Sequence, residues 1–394
     1  MTVTARETDM HSGTGDTGPF REEHRMLRDQ VRRFVEEEIK PYADAWEEDG
    51  MVPRDVLRKM GDLGFFGIRY PEEYGGSNMD TLATVVLAEE LGKSTYSGVA
   101  ITALVHTDMA SVHVFNGGSD EQRAAFMPGI ISGVYITAVG VTEPDAGSDV
   151  KGIRTTARRE GNDFILNGSK MFITNGVHAN LYCIAAKTGD SDKPSRNVTM
   201  FLVPKGTAGF SVARTLDKHG WRSSDTAELV FEDCRVPAAN VLGEEGHGFY
   251  SIMKNFQNER LVIGAMAVGE SQAALDLTID YVRTRKAFGQ ALWDKQAIRQ
   301  RLSMLAARVE AARQLVYATA ERDAAGHDVI REVSMVKALC GELVNDVMYD
   351  CLQFHGGTGY MRGSAIERMA RDARVQAIGG GATEVMLEEI AKRL

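Results

Sequence analysis

Four glycine- and hydroxyl-rich segments mark where this chain could do chemistry. Val141-Thr142-Glu143-Pro144-Asp145-Ala146-Gly147-Ser148-Asp149 joins a turn-forming proline and glycine to hydroxyls and backbone N–H groups. Such a segment can hydrogen-bond the edge of a flat heterocycle, although a plain strand-to-strand turn has the same composition. Lys170-Met171-Phe172-Ile173-Thr174-Asn175-Gly176 could lay an aromatic ring and a hydroxyl beside a ligand, or simply end a strand. Gln353-Phe354-His355-Gly356-Gly357-Thr358-Gly359-Tyr360 closes a helical stretch with glycines, which stop a helix and let backbone approach a ligand. His355 by itself reads as a hydrogen-bonded structural histidine. Ile378-Gly379-Gly380-Gly381-Ala382-Thr383-Glu384 places three glycines before a helix start. That is an anion- or carbonyl-binding turn, or a flexible loop before a capped helix.

Other chemistries leave no trace. The chain has no P-loop, no strand followed by GxGxxG and no GxSxG elbow. Cys183, Cys234, Cys340 and Cys351 are scattered, without metal-ligand spacing, and fit a reduced cytoplasmic protein. A net charge of −10 argues against nucleic acid as a partner, because neutralising phosphates needs a basic face. No stretch approaches the roughly 20 apolar residues of a membrane span, so no membrane partner is expected.

These segments need a scaffold, and 394 residues are enough for two or three packed domains. Residues 1–18 are polar and acidic and are expected to form a disordered tail. Residues 19–134 read as a helical domain. Leu27, Val31, Phe34 and Val35 recur at helical spacing before Pro41, and further helices pass through Val56, Met60 and Leu63, and through Leu82, Val86 and Leu91. Residues 135–240 change texture to short β-prone runs: Tyr135–Val141, Asp163–Leu166, Lys170–Thr174, Leu181–Ala186, Val198–Val203 and Ala227–Phe231. Turns are expected at Glu160-Gly161-Asn162, Asn167-Gly168, Pro204-Lys205-Gly206 and Glu232-Asp233, with Asn167-Gly168 as a hairpin. The spacing predicts an antiparallel barrel or sandwich. Residues 241–394 return to long striped helices. One carries Ile298, Leu302, Leu305, Val309, Ala312 and Val316, another Val336, Cys340, Leu343, Val347, Cys351 and Phe354, as in a four-helix bundle. The fold class is α+β: helical domain, β domain, helical bundle.

Taken in order, "TEPDAGSD", "ILNGSKMFITNG", "DTAELVFEDCRVP", "TRKAFGQ", "QFHGGTGYMR" and "RDARVQAI" resemble the acyl-CoA dehydrogenases, from about Phe20 to the C-terminus. The resemblance implies FAD as cofactor and an acyl-CoA thioester as substrate, with α,β-dehydrogenation to the trans-2-enoyl product. By similarity Val139, Val141, Thr142, Gly147 and Ser148 would edge the flavin, and Phe172, Ile173 and Thr174 would pack on it. Arg285, from a neighbouring subunit, with Phe288, Gln296, Gln353, Phe354, Gly356 and Gly357, would meet the dinucleotide, and Ala382, Thr383 and Glu384 would lie against the cofactor. Ser148, Tyr250, Gln257, Arg260, Gly380 and Gly381 fall at substrate positions.

The base is an informative departure. Many members carry a glutamate in a Tyr-Glu-Gly segment near the C-terminus, whereas this chain reads Gly379-Gly380-Gly381. Members of the long-chain type place the base on a C-terminal-domain helix within "QER", similar to Gln257-Asn258-Glu259-Arg260 here. The resemblance therefore implies Glu259 as base, with Gly380 N–H and a ribityl hydroxyl of FAD as donors to the thioester oxygen. It also implies an electron-transfer flavoprotein as acceptor and a homotetramer, a dimer of dimers. Ala382 stands where a threonine is usual. Two alternatives stay open: a flavin monooxygenase or oxidase on the same fold, or a non-catalytic binding scaffold. A specialised biosynthetic thioester or a carrier-protein substrate stays open beside the fatty acyl-CoA.

Overall fold

A computed structural model describes residues 19–189 and 192–394, so the tail expected at 1–18 lies outside the described residues. Helix α1 (Glu22–Phe34) buries Leu27, Val31 and Phe34, the predicted stripe, and runs into a π turn, Val35–Ile39, before Pro41. Helices α2 (Ala43–Asp49) and α3 (Arg54–Asp62) follow. The next helix, α4 (Thr81–Gly92), starts at Asp80, whose carboxylate accepts the Ala83 N–H at 3.3 Å. Every residue of α4 is buried. Its acidic end is neutralised from both helical domains: Arg28 reaches Glu90 at 3.0 Å, Arg313 reaches Glu89 at 3.2 Å, and the Tyr317 hydroxyl donates to Glu89 at 2.5 Å.

Helix α5 (Ser97–Leu104), a π segment (Val105–Ala110) and α6 (Ser111–Gly117) form one continuous run. This corrects an expectation. The run spans 21 residues at a mean hydropathy of 1.3, long and apolar enough by composition to cross a membrane. Here 94% of its apolar window is buried inside the protein, and His106, Asp108 and His113 lie within it. Helix α7 (Asp120–Ile131) closes the domain with a Ser119/Gln122 capping box.

The middle segment supplies β1 (Thr137–Gly140), β2 (Thr156–Glu160), β3 (Asp163–Thr174), β4 (Leu181–Lys187), β5 (Val198–Pro204), β6 (Phe210–Thr215), β7 (Thr226–Pro237) and β8 (Val241–Leu242). They form one sheet in the order β6-β7-β3-β2-β4-β5-β8, with β1 also on β4. Pairing is mostly antiparallel, as expected, but β1 runs parallel to β4 and β2 meets β4 in parallel at Thr156. Two expected turns are overturned. Asn167-Gly168 makes no hairpin, because β3 runs straight through it, and Glu232-Asp233 lies inside β7. The two dipeptides face each other where the β3–β7 register slips. There the Asn167 amide donates to Asp233 Oδ1 at 3.1 Å, and the Asp233 N–H donates to Asn167 Oδ1 at 2.9 Å. Turn-type residues here build a bulge, with Gly168 at φ 144° and Asp233 at φ 47°.

Helix α8 (Gly248–Thr284) opens the last segment and ends in a small hairpin, β9 (Lys286–Ala287) and β10 (Gln290–Ala291). Helices α9 (Gln296–Ala324) and α10 (Ile330–His355) follow, and the short α11 (Ala365–Ala373) and α12 (Thr383–Ala391) pack along α10. Leu302, Leu305, Val309, Ala312 and Val316 of α9, and Val336, Cys340, Leu343, Val347 and Cys351 of α10, are buried as their stripes predict. Ile298 and Phe354 sit half-buried at the margin. The two helical segments, separated by the sheet in sequence, share one hydrophobic core. Within it α4 packs on α8 so closely that their glycines touch backbone.

Candidate active site

Glu259 lies in the first half of α8, facing the glycine turn before α12. Gly380 and Gly381 take φ of 66° and 106°, the left-handed region where a side chain is strained. The space above them is occupied. A Cβ on Gly380 would come 2.5 Å from Ile263 Cδ1 and 3.8 Å from Glu259 Oε1, and one on Gly381 would come 3.7 Å from Arg260 Nε. Glycine is therefore required both by the backbone and by the close approach of the α8 side chains.

Burial raises several carboxyls here; Glu270 accepts from the Gln376 amide and Asp372 from the Trp221 N–H, whereas Glu259 faces the glycine turn. Burial pushes the Glu259 carboxyl up to about 7, against the opposing pull of Arg260 and Lys337. A carboxylate at that value is poised to take a proton near neutral pH. Arg260 is itself buried, its guanidinium 5.4 Å from the Phe256 ring centre and its Nε without a hydrogen-bond partner. Burial lowers its pKa while Glu259 raises it.

The opposite wall comes from the middle segment. Val141, Ala146, Val150 and Ile153 share a core cluster with Ile252 of α8, and Phe249, Met253 and Phe256 pack against it. Val139 bridges this cluster and the helical core. Glu143 anchors the segment from below: its carboxylate meets Lys170 at 2.7 Å and accepts the N–H of Arg154 at 2.5 Å and of Thr155 at 3.0 Å. Burial would raise the Glu143 carboxyl, but Lys170 and these donors together hold it below its ordinary value. Gly147 and Ser148 are exposed at the rim, and a Cβ on Gly147 would meet nothing within 4 Å.

The Met171 N–H donates to Thr142 O at 2.9 Å and so ties the Phe172 segment to this wall. Between Lys170 and Ile173 the β3 register slips, and Phe172 adopts φ 61° with 66% of its surface exposed. A large apolar ring held out in an unfavourable backbone state is a strained arrangement of the kind that collects at ligand sites. Ile173 is buried below it and Thr174 half-buried beside it. Tyr250 stands half-exposed at the outer end, its hydroxyl 3.2 Å from Ser195 Oγ, and Gln257 is half-buried on α8.

The remaining candidates are not in this cleft. Arg285 follows the C-terminal end of α8, about 39 Å along the helix axis from Glu259 at 1.5 Å per residue. The β9–β10 hairpin presents Phe288 at φ 54° with 96% exposure. Gln296 opens α9 beside it, and Gln353, Phe354, Gly356 and Gly357 end α10 at the same end of the bundle. His355 there stacks on Tyr281, ring centres 4.2 Å apart, and sits 3.3 Å from the Thr278 hydroxyl. The candidates thus fall into two groups, one along the first half of α8 and one at its C-terminal end.

The pattern of matches covers almost the whole length. The family models of the acyl-CoA dehydrogenase N-terminal, middle and C-terminal domains match residues 21–134, 138–234 and 246–394. The chain belongs to the acyl-CoA dehydrogenase family. It is 40% identical to the long-chain specific mitochondrial acyl-CoA dehydrogenase of Rattus norvegicus over 95% of this chain and 87% of the relative. The crystal structure of an acyl-CoA dehydrogenase from Geobacillus kaustophilus superposes with a TM-score of 0.92 at 40% identity, covering 96% of this chain and 99% of that one. An FAD complex of PigA superposes with a TM-score of 0.91 at 26% identity, covering 95% and 98%.

Acyl-CoA dehydrogenases are flavin-dependent oxidoreductases, so FAD is the group against which these residues are tested. They fit it. The exposed Phe172 ring, the Thr142–Ser148 backbone and the crowded Gly380-Gly381 turn offer an apolar face, polar edges and a close backbone approach. The departure at Ala382 has a local consequence: it is the N-cap of α12 and makes no side-chain cap. Ala382→Thr should supply the missing cap and raise stability by about 1 kcal/mol. A rise in the denaturation midpoint of the FAD-loaded acyl-CoA dehydrogenase would check it.

Lys337 is the site residue that sequence reasoning passed over. It occupies a buried position on α10, in the stripe of Val333, Cys340 and Val344. A lysine at a core position of an apolar stripe is a readable signal, since burying an ammonium is costly without compensating acceptors.

Proposed function

We propose that this acyl-CoA dehydrogenase oxidises a fatty acyl-CoA thioester to the trans-2-enoyl-CoA, with Glu259 as the base that removes the α-proton. The observation that carries the reading is the Glu259 carboxyl, raised to about 7 by burial and set directly against the Gly380-Gly381 turn. Bound FAD supplies the acceptor for the β-hydride, and the protein supplies geometry and proton handling. Glu259 takes the proton next to the thioester carbonyl. The Gly380 N–H is the donor proposed for the carbonyl oxygen, where negative charge grows as the proton leaves.

The flavin-facing residues are Val139, Val141, Thr142, Gly147, Ser148, Phe172, Ile173 and Thr174, with Ala382, Thr383 and Glu384 behind the turn. Ser148, Tyr250, Gln257, Arg260 and Gly381 line the acyl-CoA path. The far half-site, Arg285, Phe288, Gln296 and Gln353 to Gly357, serves the dinucleotide end of FAD in a neighbouring copy of a homotetramer. The exposed Phe288 hairpin, remote from Glu259 in its own chain, supports that division. Reduced enzyme would pass electrons to an electron-transfer flavoprotein, in cytoplasmic fatty-acid β-oxidation.

Anaerobic titration of the holoenzyme with acyl-CoAs of graded chain length tests the reading. Flavin absorbance should bleach with straight-chain thioesters of one length range. Bleaching by none of them, or rapid reoxidation of reduced flavin by oxygen, would move the assignment to an oxidase or a different thioester class.

A further inference from the structure

Lys337 is 1% exposed on α10, and its Nζ donates to the carbonyl of Gln376 at 2.6 Å and of Gly381 at 3.0 Å. These two carbonyls bracket the turn that carries Gly379, Gly380 and Gly381. The Lys337 side chain also lies near enough to Glu259 for its charge to act on that carboxylate. A Cβ on Gly380 would lie 3.6 Å from Lys337 Cε and 3.8 Å from Glu259 Oε1, so both side chains border the glycine. Backbone on α10 is also drawn in here, since a Cβ on Gly341 would come 2.8 Å from Gln376 O.

We infer that Lys337 is a positioning residue for this site: its ammonium ties both ends of the glycine turn to α10 and keeps a cation near the Glu259 carboxylate. The inference rests on Glu259 being the base, and it adds what tunes that base and what fixes the donor beside it. Burial lowers the Lys337 ammonium to about 8 while Glu259 pulls it up, so with two carbonyls accepting from it Lys337 carries its charge at and below neutral pH. A nearby cation favours the ionised carboxylate, so Lys337 restrains the rise that burial imposes on Glu259. The charged groups facing Glu259 are Arg260 on its own helix and Lys337 on α10. Glu389 on α12 and Arg393 just beyond its end act on Arg260 with opposite signs.

Two variants separate the two roles. Lys337→Gln keeps a donor for the carbonyls but removes the charge, and Lys337→Met removes both. In the substrate-free holoenzyme, 13C-NMR of labelled glutamate carboxyls reports the Glu259 midpoint, its signal identified by loss in Glu259→Gln. Both Lys337 variants should raise that midpoint by about one unit. The rate of flavin reduction at a pH below the midpoint should then fall about tenfold. Lys337→Met alone should also lower the high-pH plateau, because the turn loses its tether, with little change in KM.

Unchanged Glu259 midpoints in both variants would overturn the inference, whatever the activity does. A midpoint that moves while the pH profile of flavin reduction stays fixed would leave Lys337 coupled to Glu259 and would instead remove Glu259 as the base. Should Lys337→Met not fold, Lys337→Gln alone decides the electrostatic role.

Discussion

Glu259→Gln is expected to slow flavin reduction by acyl-CoA by about 10²–10⁴-fold, the usual contribution of a positioned general base, while FAD stays bound. The wild-type rate should rise with pH through a midpoint near 7, since the base acts as the carboxylate and its carboxyl sits at about 7. The variant should lack that limb. Stability should move the opposite way. A carboxyl raised from its ordinary 4.5 to about 7 favours the protonated form in the folded state, so ionised Glu259 destabilises the fold. That cost is absent below pH 4.5, grows between 4.5 and 7 and is complete above 7. Linkage sets its upper bound at about 3 kcal/mol, less in practice because the residue is half-buried. Glutamine removes it, so the variant should unfold at higher denaturant than wild type at pH 8 and at the same denaturant near pH 4. Wild-type bleaching by Glu259→Gln would sink the assignment of the base.

Gly269→Ala should destabilise the holoenzyme by about 3 kcal/mol or more. An added Cβ would stand 2.0 Å from Glu89 O and 2.9 Å from Glu89 C, and a backbone neighbour cannot swing away as a flexible side chain can. The contact is reciprocal, because a Cβ on Gly92 would come 2.4 Å from Met266 O. The higher helix propensity of alanine returns only about 1 kcal/mol. Gly92→Ala should cost a similar amount, and the pair should be less than additive, since either change alone already forces α4 from α8. Activity should fall in step, because Gly269 lies about 15 Å along α8 from Glu259 and displacing α8 moves the proposed base. Urea unfolding of each variant measures the first effect and flavin-reduction rate the second. A denaturation midpoint equal to wild type would mean that the helices cross elsewhere.

Much of the helical architecture is legible in the residues alone. The stripes on α1, α9 and α10 predict their buried faces because helical periodicity records which side meets the core. Gly356 at φ 58° ends α10, as expected from a residue free to adopt left-handed backbone. The sheet is less legible. Strands β2 and β6 escape the sequence pattern because they are mostly exposed, Thr-Ala-Arg-Arg-Glu showing only one buried residue, and a solvated strand carries no apolar alternation. The Asn167-Gly168 and Glu232-Asp233 errors share one cause. Positive φ serves a bulge as well as a turn, and only the partner strand decides which one forms.

The site divides in the same way. Glu259, the Thr142–Ser148 segment and the glycine turn can be named from residue types and motif resemblance, because close backbone approach and charge need particular side chains. Sequence by itself determined which residues are equipped for the chemistry and which helices could carry them. Tertiary structure alone decided that α4 and α8 meet at glycines, that a membrane-length apolar run lies inside the protein, and that Lys337 comes near Glu259. Those facts depend on desolvation and on contacts between distant segments, and neither quantity is encoded at any single position of the chain.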